Sequence, residues 1–222
     1  MYQIAIDGPS GAGKSTLAKR LAAQLGFIYV DTGALYRSIG LYMEMNEIDP
    51  KNSEAVVAAL PSIELSLEYH DGSQVVLLNG ENVGDRIRTP QISMYASAVS
   101  AIPAVRAFLL ETQRKIAREN SVIMDGRDIG TVILPNANVK IFLTASDECR
   151  AMRRCDELVA KGIAVTYEEV LADMRERDRN DSTRAVAPAV AAPDATLFDN
   201  SGMTPEECTA AIVKLIKEKT QA

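Results

Sequence analysis

Residues 2–7, Tyr-Gln-Ile-Ala-Ile-Asp, form a short apolar run that ends in Gly8-Pro9-Ser10-Gly11-Ala12-Gly13-Lys14-Ser15. Leu17, Leu21 and Leu25 follow at helical spacing, and Gly26 fits the position just past a helix end. A buried strand, a glycine-rich turn and a helix in that order leave the chain few ways to begin. The turn meets every fixed position of GxxxxGK[ST], in the strand–turn–helix setting that motif requires. Glycines let the backbone wrap an anion without Cβ clashes. The free N–H groups and dipole of the helix start favour negative charge. Lys14 would reach the β- and γ-phosphates of a nucleoside triphosphate, and the Ser15 hydroxyl would ligate Mg²⁺. The candidate ATP-binding residues are therefore Gly8, Pro9, Ser10, Gly11, Ala12, Gly13, Lys14, Ser15 and Thr16.

This motif is shared by switch GTPases, motors, transporter ATPases and small-molecule kinases. The chain has only 222 residues, with no NKxD guanine-reading motif and no long apolar run closing in Asp-Glu. Phe27–Val30 reads as a second strand and Ala34–Ile48 as a helix, so strands and helices alternate. The pattern then changes. Ile63, Leu65 and Leu67 alternate with polar residues, and Asp71-Gly72 and Asn79-Gly80 are hairpin dipeptides. A small antiparallel meander over about 62–88 is expected, too small to hold a core alone. Helices are expected over Thr89–Ala98 and Pro103–Arg118, and strands over Ser121–Asp125, Val139–Leu143 and Ala195–Asp199. Ser146 caps a helix running to Ala160, and Thr166 with Glu169 makes a capping box before another. The Ala/Val/Pro stretch 185–193 reads as an extended linker. The last helix opens at Thr204-Pro205-Glu206-Glu207. The fold class is α/β: a doubly wound, five-stranded parallel sheet with helices on both faces, a small antiparallel β insert and a helical lid. We read residues 1–222 as one domain, with its core at about 1–60, 89–150 and 185–222, the insert at 62–88 and the lid at about 150–184.

The formal net charge of −6 argues against a nucleic-acid-coating protein. The cations are unevenly distributed. Of 15 Arg, 13 lie between Arg86 and Arg184, beside only three Lys. Arg suits forked recognition of phosphate, although on composition alone solvated helix faces are the better reading. The three Cys have no zinc or CxxC spacing, which fits a reducing compartment. A single histidine, His70, excludes a His-based triad or a His-rich metal site. No apolar stretch reaches 18 residues and no signal peptide is read, so a cytoplasmic location with no membrane partner is expected.

In a doubly wound sheet, ligands bind outside the carboxyl ends of the strands. Arg37 lies one helical turn past the second strand, in DTGALYR, and Arg127 directly follows the third, in DGRD. Lys14, Thr32, Arg37, Asp125, Arg127 and Asp128 should therefore converge on one crevice. Segment 175–184 alternates in charge, which suits either solvated helix or a lid that closes over phosphates and excludes water.

Five segments carry a resemblance: IAIDGPSGAGKST, DTGALYR, the meander, MDGRDIGTVILPNANVKIFLTAS and RDRNDSTRAVAPAVAAPDA. From residue 4 to about 200, in order, they resemble bacterial cytidylate kinases of the nucleoside monophosphate kinase family. The resemblance implies ATP-dependent phosphorylation of CMP and dCMP by in-line transfer from Mg-ATP, in a monomer. It implies that Lys14, Arg127, Arg177 and Arg184 are catalytic and that Arg153 lies near the donor adenine. Thr32 and Arg37 would meet the acceptor phosphate, and Arg127 and Arg184 would hold or bridge phosphates. Ser97, Arg106 and Asp128 would read the cytosine edge, and Arg177 and Asp181 the ribose. Cytosine offers an N4 amino donor that the Asp128 carboxylate can accept, whereas the 4-oxo group of uracil would face that carboxylate. Family members can carry a further lid Arg where this chain has Asn180, so no cation is assigned there. Asp7 receives no role. A kinase for UMP or shikimate, a slow nucleotide switch and a nucleic-acid ATPase are the competing readings.

Overall fold

The first strand, β1 (Gln3–Asp7), runs straight into the glycine-rich loop and helix α1 (Lys14–Leu25). Strand β2 (Ile28–Asp31), helix α2 (Thr32–Met45) and a short helix α3 (Ser53–Ala59) follow. The insert comprises β3 (Leu65–His70), β4 (Ser73–Leu78) and β5 (Glu81–Asn82). After α4 (Pro90–Ser100) and α5 (Pro103–Glu119), the chain returns to the sheet as β6 (Val122–Asp125) and β7 (Val139–Thr144). Helices α6 (Asp147–Ala160) and α7 (Tyr167–Thr183) occupy the stretch expected as a lid, and β8 (Thr196–Asp199) and α8 (Pro205–Thr220) complete the fold. These elements come from a computed structural model that describes residues 1–70 and 73–220.

The main sheet is parallel, in the order β2-β6-β1-β7-β8. Its strands are apolar on both sides because both faces are covered. Ile4 and Ile6 point to one face, with Leu17 and Leu21 of α1 and Ile212 and Ile216 of α8. Ala5 points to the other, with Val30, Met124 and Ala117 of α5. This is the doubly wound arrangement expected from the alternating pattern. Gly8 turns the chain away from β1 at φ 145°, where a Cβ would sit 1.9 Å from the Leu143 carbonyl oxygen, so only glycine fits.

Asn79 and Gly80 both have positive φ, 49° and 82°, as a two-residue hairpin turn between β4 and β5 requires. The other expected turn, Asp71-Gly72, lies outside the described residues. The insert holds no separate core. Val76, Leu78 and Val83 share one apolar cluster with Leu35 and Ile39 of α2 and Ile92 of α4. In the lid, Ser146 accepts from the Cys149 N–H, and Thr166 and Glu169 form the expected capping box.

Three local features differ from expectation. Helix α3 was not foreseen, although Asn52 caps it by accepting from the Ala55 N–H at 3.1 Å. Residues Ile129–Ile133 form a single π-helical turn where no element was expected. Segment 185–193 lacks regular structure, yet it is tied back to the lid: Ala189 N–H donates to the Asp181 carbonyl at 2.8 Å.

Candidate active site

The carboxyl ends of β1, β2 and β6 open on one cleft of about 650 Å³, which the lid helix α7 borders from the other side. Ser10, Gly11, Gly13, Lys14, Ser15 and Thr16 line it. Gly8, Pro9 and Ala12 do not. They shape the loop from behind, with the Ala12 carbonyl accepting from Asn200 Nδ2 at 3.0 Å. Lys14 Nζ is folded back on its own loop and donates to the Pro9 carbonyl at 2.7 Å. Burial, followed by the positive charge of Arg127, holds the Lys14 ammonium below its ordinary range.

Ser15 Oγ donates to Asp125 Oδ2 at 2.7 Å, and Tyr29 Oη donates to Oδ1 of the same carboxylate at 2.9 Å. Burial and then the Asp31 charge push the Asp125 carboxyl up. A nucleotide-bound Mg²⁺ takes only one or two protein oxygens and completes its shell with water and phosphate. The adjacent Ser15 and Asp125 oxygens fit that requirement.

Thr32 and Arg37 both come from the start of α2. Thr32 Oγ1 donates to the Asp125 carbonyl at 2.7 Å, which ties β2 to β6. Arg37 donates to Asp31 Oδ2 at 2.9 Å, while its Nε is buried without an acceptor. Asp31 also accepts from the Ala34 N–H as the cap of α2. Burial would raise its carboxyl, but Arg37 and Arg88 outweigh that and hold it low.

The charges of α7 sort by helical period. Arg177, Asp181 and Arg184 face the cleft, while Arg175 is exposed and pairs with Asp147 at 2.8 Å. Asp181 is only 5% exposed; it accepts from Ser97 Oγ at 3.1 Å and from Arg127 Nε at 3.0 Å. Burial opposes its ionisation, but Arg127, Arg177 and Arg184 together hold its carboxyl below the usual range. Arg177 Nε is buried with no hydrogen-bond acceptor, and burial with the neighbouring Arg127 charge brings its guanidinium down to about 10. Arg184 donates from Nε to the Ala187 carbonyl at 2.7 Å and from a terminal nitrogen to Ser100 Oγ at 2.9 Å.

Arg106 is buried, donates to Asp128 and lies over the Tyr36 ring at 5.6 Å. Burial raises the Asp128 carboxyl against the pull of Arg106, Arg184 and Arg127. Arg153 also lines the cleft and donates to both the side chain and the backbone of Asn200, at 3.0 and 2.9 Å. One cleft thus brings together Lys14, Ser15, Thr16, Thr32, Arg37, Ser97, Arg106, Arg127, Asp128, Arg153, Arg177, Asp181 and Arg184.

Sequence reasoning missed several neighbours. Asp178 accepts from the Ser10 N–H at 3.0 Å, and Arg150 donates to the Ser10 carbonyl at 2.7 Å, so the lid grips the loop through Ser10. The helical period through Met174, Arg177 and Asp181 could have placed Asp178. Gln74 of β4 brackets the Asp31 backbone, accepting from its N–H at 2.8 Å and donating to its carbonyl at 3.3 Å. Nothing in the sequence singles out Gln74 or Ser100.

A nucleotide-type loop facing clustered arginines across one cleft, on a doubly wound sheet, defines a P-loop phosphotransferase with an anionic acceptor. Solved structures agree on the fold. A shikimate kinase from Acinetobacter baumannii, in complex with shikimate, is 13% identical, with a TM-score of 0.50 over 98% of this chain and 94% of that one. An uncharacterized protein from Eubacterium ventriosum is 15% identical, with a TM-score of 0.57 over 98% of both chains. The cytidylate kinase family model matches residues 4–218. A cytidylate kinase from Caldicellulosiruptor bescii is 49% identical over 96% of this chain and 94% of its own length. One from Mycolicibacterium paratuberculosis is 47% identical over 98% and 96%. The chain belongs to the cytidylate kinase family.

Proposed function

We propose that the chain transfers the γ-phosphoryl group of ATP to the phosphate of CMP or dCMP, giving ADP and CDP or dCDP. One observation carries this: the P-loop and the acceptor-side arginines share a single cleft. The loop N–H groups and Lys14 bind the ATP phosphates, Ser15 and Asp125 would hold Mg²⁺ with them, and Arg153 lies by the adenine. Bound Mg²⁺ neutralises charge on the transferred group. Arg37, Arg127 and Arg184 hold the acceptor phosphate, with Thr32 beside it. The Arg37 Nε, buried without a hydrogen-bond acceptor, supports an anion there, since buried donors are ordinarily satisfied. The acceptor oxygen attacks the γ-phosphorus in line, and ADP leaves. A phosphate monoester is largely doubly ionised at neutral pH, so no strong general base is needed. Asp181, now held by Ser97 and Arg127, turns with Arg177 to the ribose. Ser97, Arg106 and Asp128 read the cytosine.

ADP release coupled to a spectrophotometric readout, with Mg-ATP and each of CMP, dCMP, UMP, AMP and shikimate, tests this reading. CMP and dCMP should support turnover far above the other three. ADP formation that ignores the acceptor would point instead to a nucleotide switch. Within the same reading, Gln74→Ala should raise the KM for CMP about three- to tenfold with the KM for ATP unchanged. Gln74 is the insert's hold on the Asp31 backbone, and Asp31 carries Arg37; one or two such hydrogen bonds are worth about 1 kcal/mol each.

The division into core, insert and lid, and a monomer working in the cytoplasm, belong to the same proposal. Free cysteines at positions 149, 155 and 208 support a reducing compartment. Among the described residues no single helix is long and apolar enough to cross a membrane.

A further inference from the structure

Asp7 ends β1 immediately before the P-loop and is only 3% exposed, and it does not line the cleft. Its two oxygens accept from two consecutive backbone N–H groups: Ile129 to Oδ1 at 2.7 Å and Gly130 to Oδ2 at 2.8 Å. These are the first two donors of the π turn Ile129–Ile133, whose capping residue is Asp128. At the start of a helical turn, an aspartate in that place ordinarily bends back and caps the turn itself. Asp31 does this for α2, accepting from the Ala34 N–H at 2.9 Å. Asp128 makes no such bond. Its backbone carbonyl accepts from Val132 and Ile133 at 2.9 and 3.2 Å, while its carboxylate faces Arg106 and, at 3.8 Å, Arg184.

We propose that Asp7 is a positioning residue for base selection: by capping the π turn from β1, it frees the Asp128 carboxylate to face the cleft. The inference rests on the reading of Asp128 as the base-selective carboxylate. Two N–H donors, one on each oxygen, favour the ionised carboxylate. Burial pushes its carboxyl up to about 6 against the two N–H groups, with Asp128 raising it further and Lys14 lowering it. Loss of the Asp7 cap leaves two buried donors with Asp128 as the nearest alternative carboxylate. Asp128 would then turn back onto its own turn and abandon the base.

The test is steady-state kinetics of the full-length enzyme with CMP, UMP and ATP for D7N, G130A and D128N. In D7N an amide NH₂ faces one of the turn's N–H groups. The ratio of kcat/KM for CMP over UMP should fall about tenfold or more, with the KM for ATP within about twofold. G130A is the gentler variant, because its Cβ would press on Asp7 Oδ2 at 3.3 Å and the Lys140 side chain at 3.1 Å. It should shift the ratio in the same direction by less, and it decides the matter if D7N does not fold. If D128N lowers the ratio while D7N and G130A leave it unchanged, or raise the KM for ATP as much as that for CMP, Asp7 is merely structural and the inference fails. If D128N itself leaves the ratio unchanged, the reading of Asp128 fails, and the inference with it.

Discussion

Arg184→Ala is expected to lower kcat about 10³-fold, the scale of a phosphate-bridging arginine, with the KM for ATP changed only a few-fold. The side chain leaves the end of α7 and is 8% exposed. Its Nε is held by the Ala187 carbonyl and one terminal nitrogen by Ser100 Oγ at 2.9 Å, which directs the two terminal nitrogens at the cleft. There they lie 3.8 Å from Asp128 and 3.9 Å from Asp181, contacts too long for good hydrogen bonds. Burial, and then the like charge of Arg106, hold the guanidinium below its ordinary range. A cation so placed gains most when negative charge builds up between donor and acceptor, in the transition state rather than in either bound substrate. Arg184→Lys should recover only a small part of the loss, since an ammonium cannot bridge two oxygens with a planar fork. Near-normal turnover in the alanine variant, with an unchanged melting temperature, would remove Arg184 from the transfer step.

The parts legible in the sequence are those whose signals are local. GPSGAGKS carries its own turn chemistry, Asn79-Gly80 fixes a hairpin, and Thr166 with Glu169 marks the start of α7. The alternation of apolar strands and amphipathic helices was enough to give the doubly wound sheet and its open carboxyl edge. What escaped depends on partners distant in sequence. The π turn Ile129–Ile133 has no cap of its own, because Asp7, 122 residues earlier, supplies it. An apolar run with no local stop or start reads as a loop or a strand. Helix α3 was within reach, since Asn52 is an ordinary capping residue. It is short enough that its apolar face, essentially Val56, gives little period to detect.

Charge behaved similarly. The alternating segment Arg175–Arg184 looks solvated when read as composition. At 3.6 residues per turn it splits into an outer row, where Arg175 meets Asp147, and an inner row of Arg177, Asp181 and Arg184. The net charge of −6 conceals this, because aspartates 31, 125, 128 and 181 sit among the arginines and hold several of them in place. These carboxylates accept from arginine donors that, on the proposed reading, a phosphate or a base edge would take.

Asp128→Asn should bring the largest change in selectivity, lowering the CMP-over-UMP ratio of kcat/KM by about 10²-fold or more. A site built on hydrogen bonds can reject a mismatched analogue by roughly 10⁴-fold. On the proposed reading the carboxylate accepts from the cytosine N4 amino group and repels the uracil 4-oxo group, whereas an amide can turn its NH₂ toward that oxygen. The substitution also leaves buried Arg106 without its counter-charge, so some loss of stability is expected alongside. The acid limb of the wild-type profile separates the two effects. Burial raises the Asp128 carboxyl despite Arg106, Arg184 and Arg127. As pH falls through that raised value the group gains a proton, becomes a donor and comes to resemble the amide. Discrimination in the wild-type enzyme should therefore decline on acidification, while in D128N it should stay flat. Above the pH at which cytosine N3 itself gains a proton, taking the ratio cancels the titration of the acceptor phosphate, which CMP and UMP share, and follows the charge of Asp128. A wild-type ratio that holds constant while both individual rates fall would mean that discrimination does not depend on the charge of Asp128.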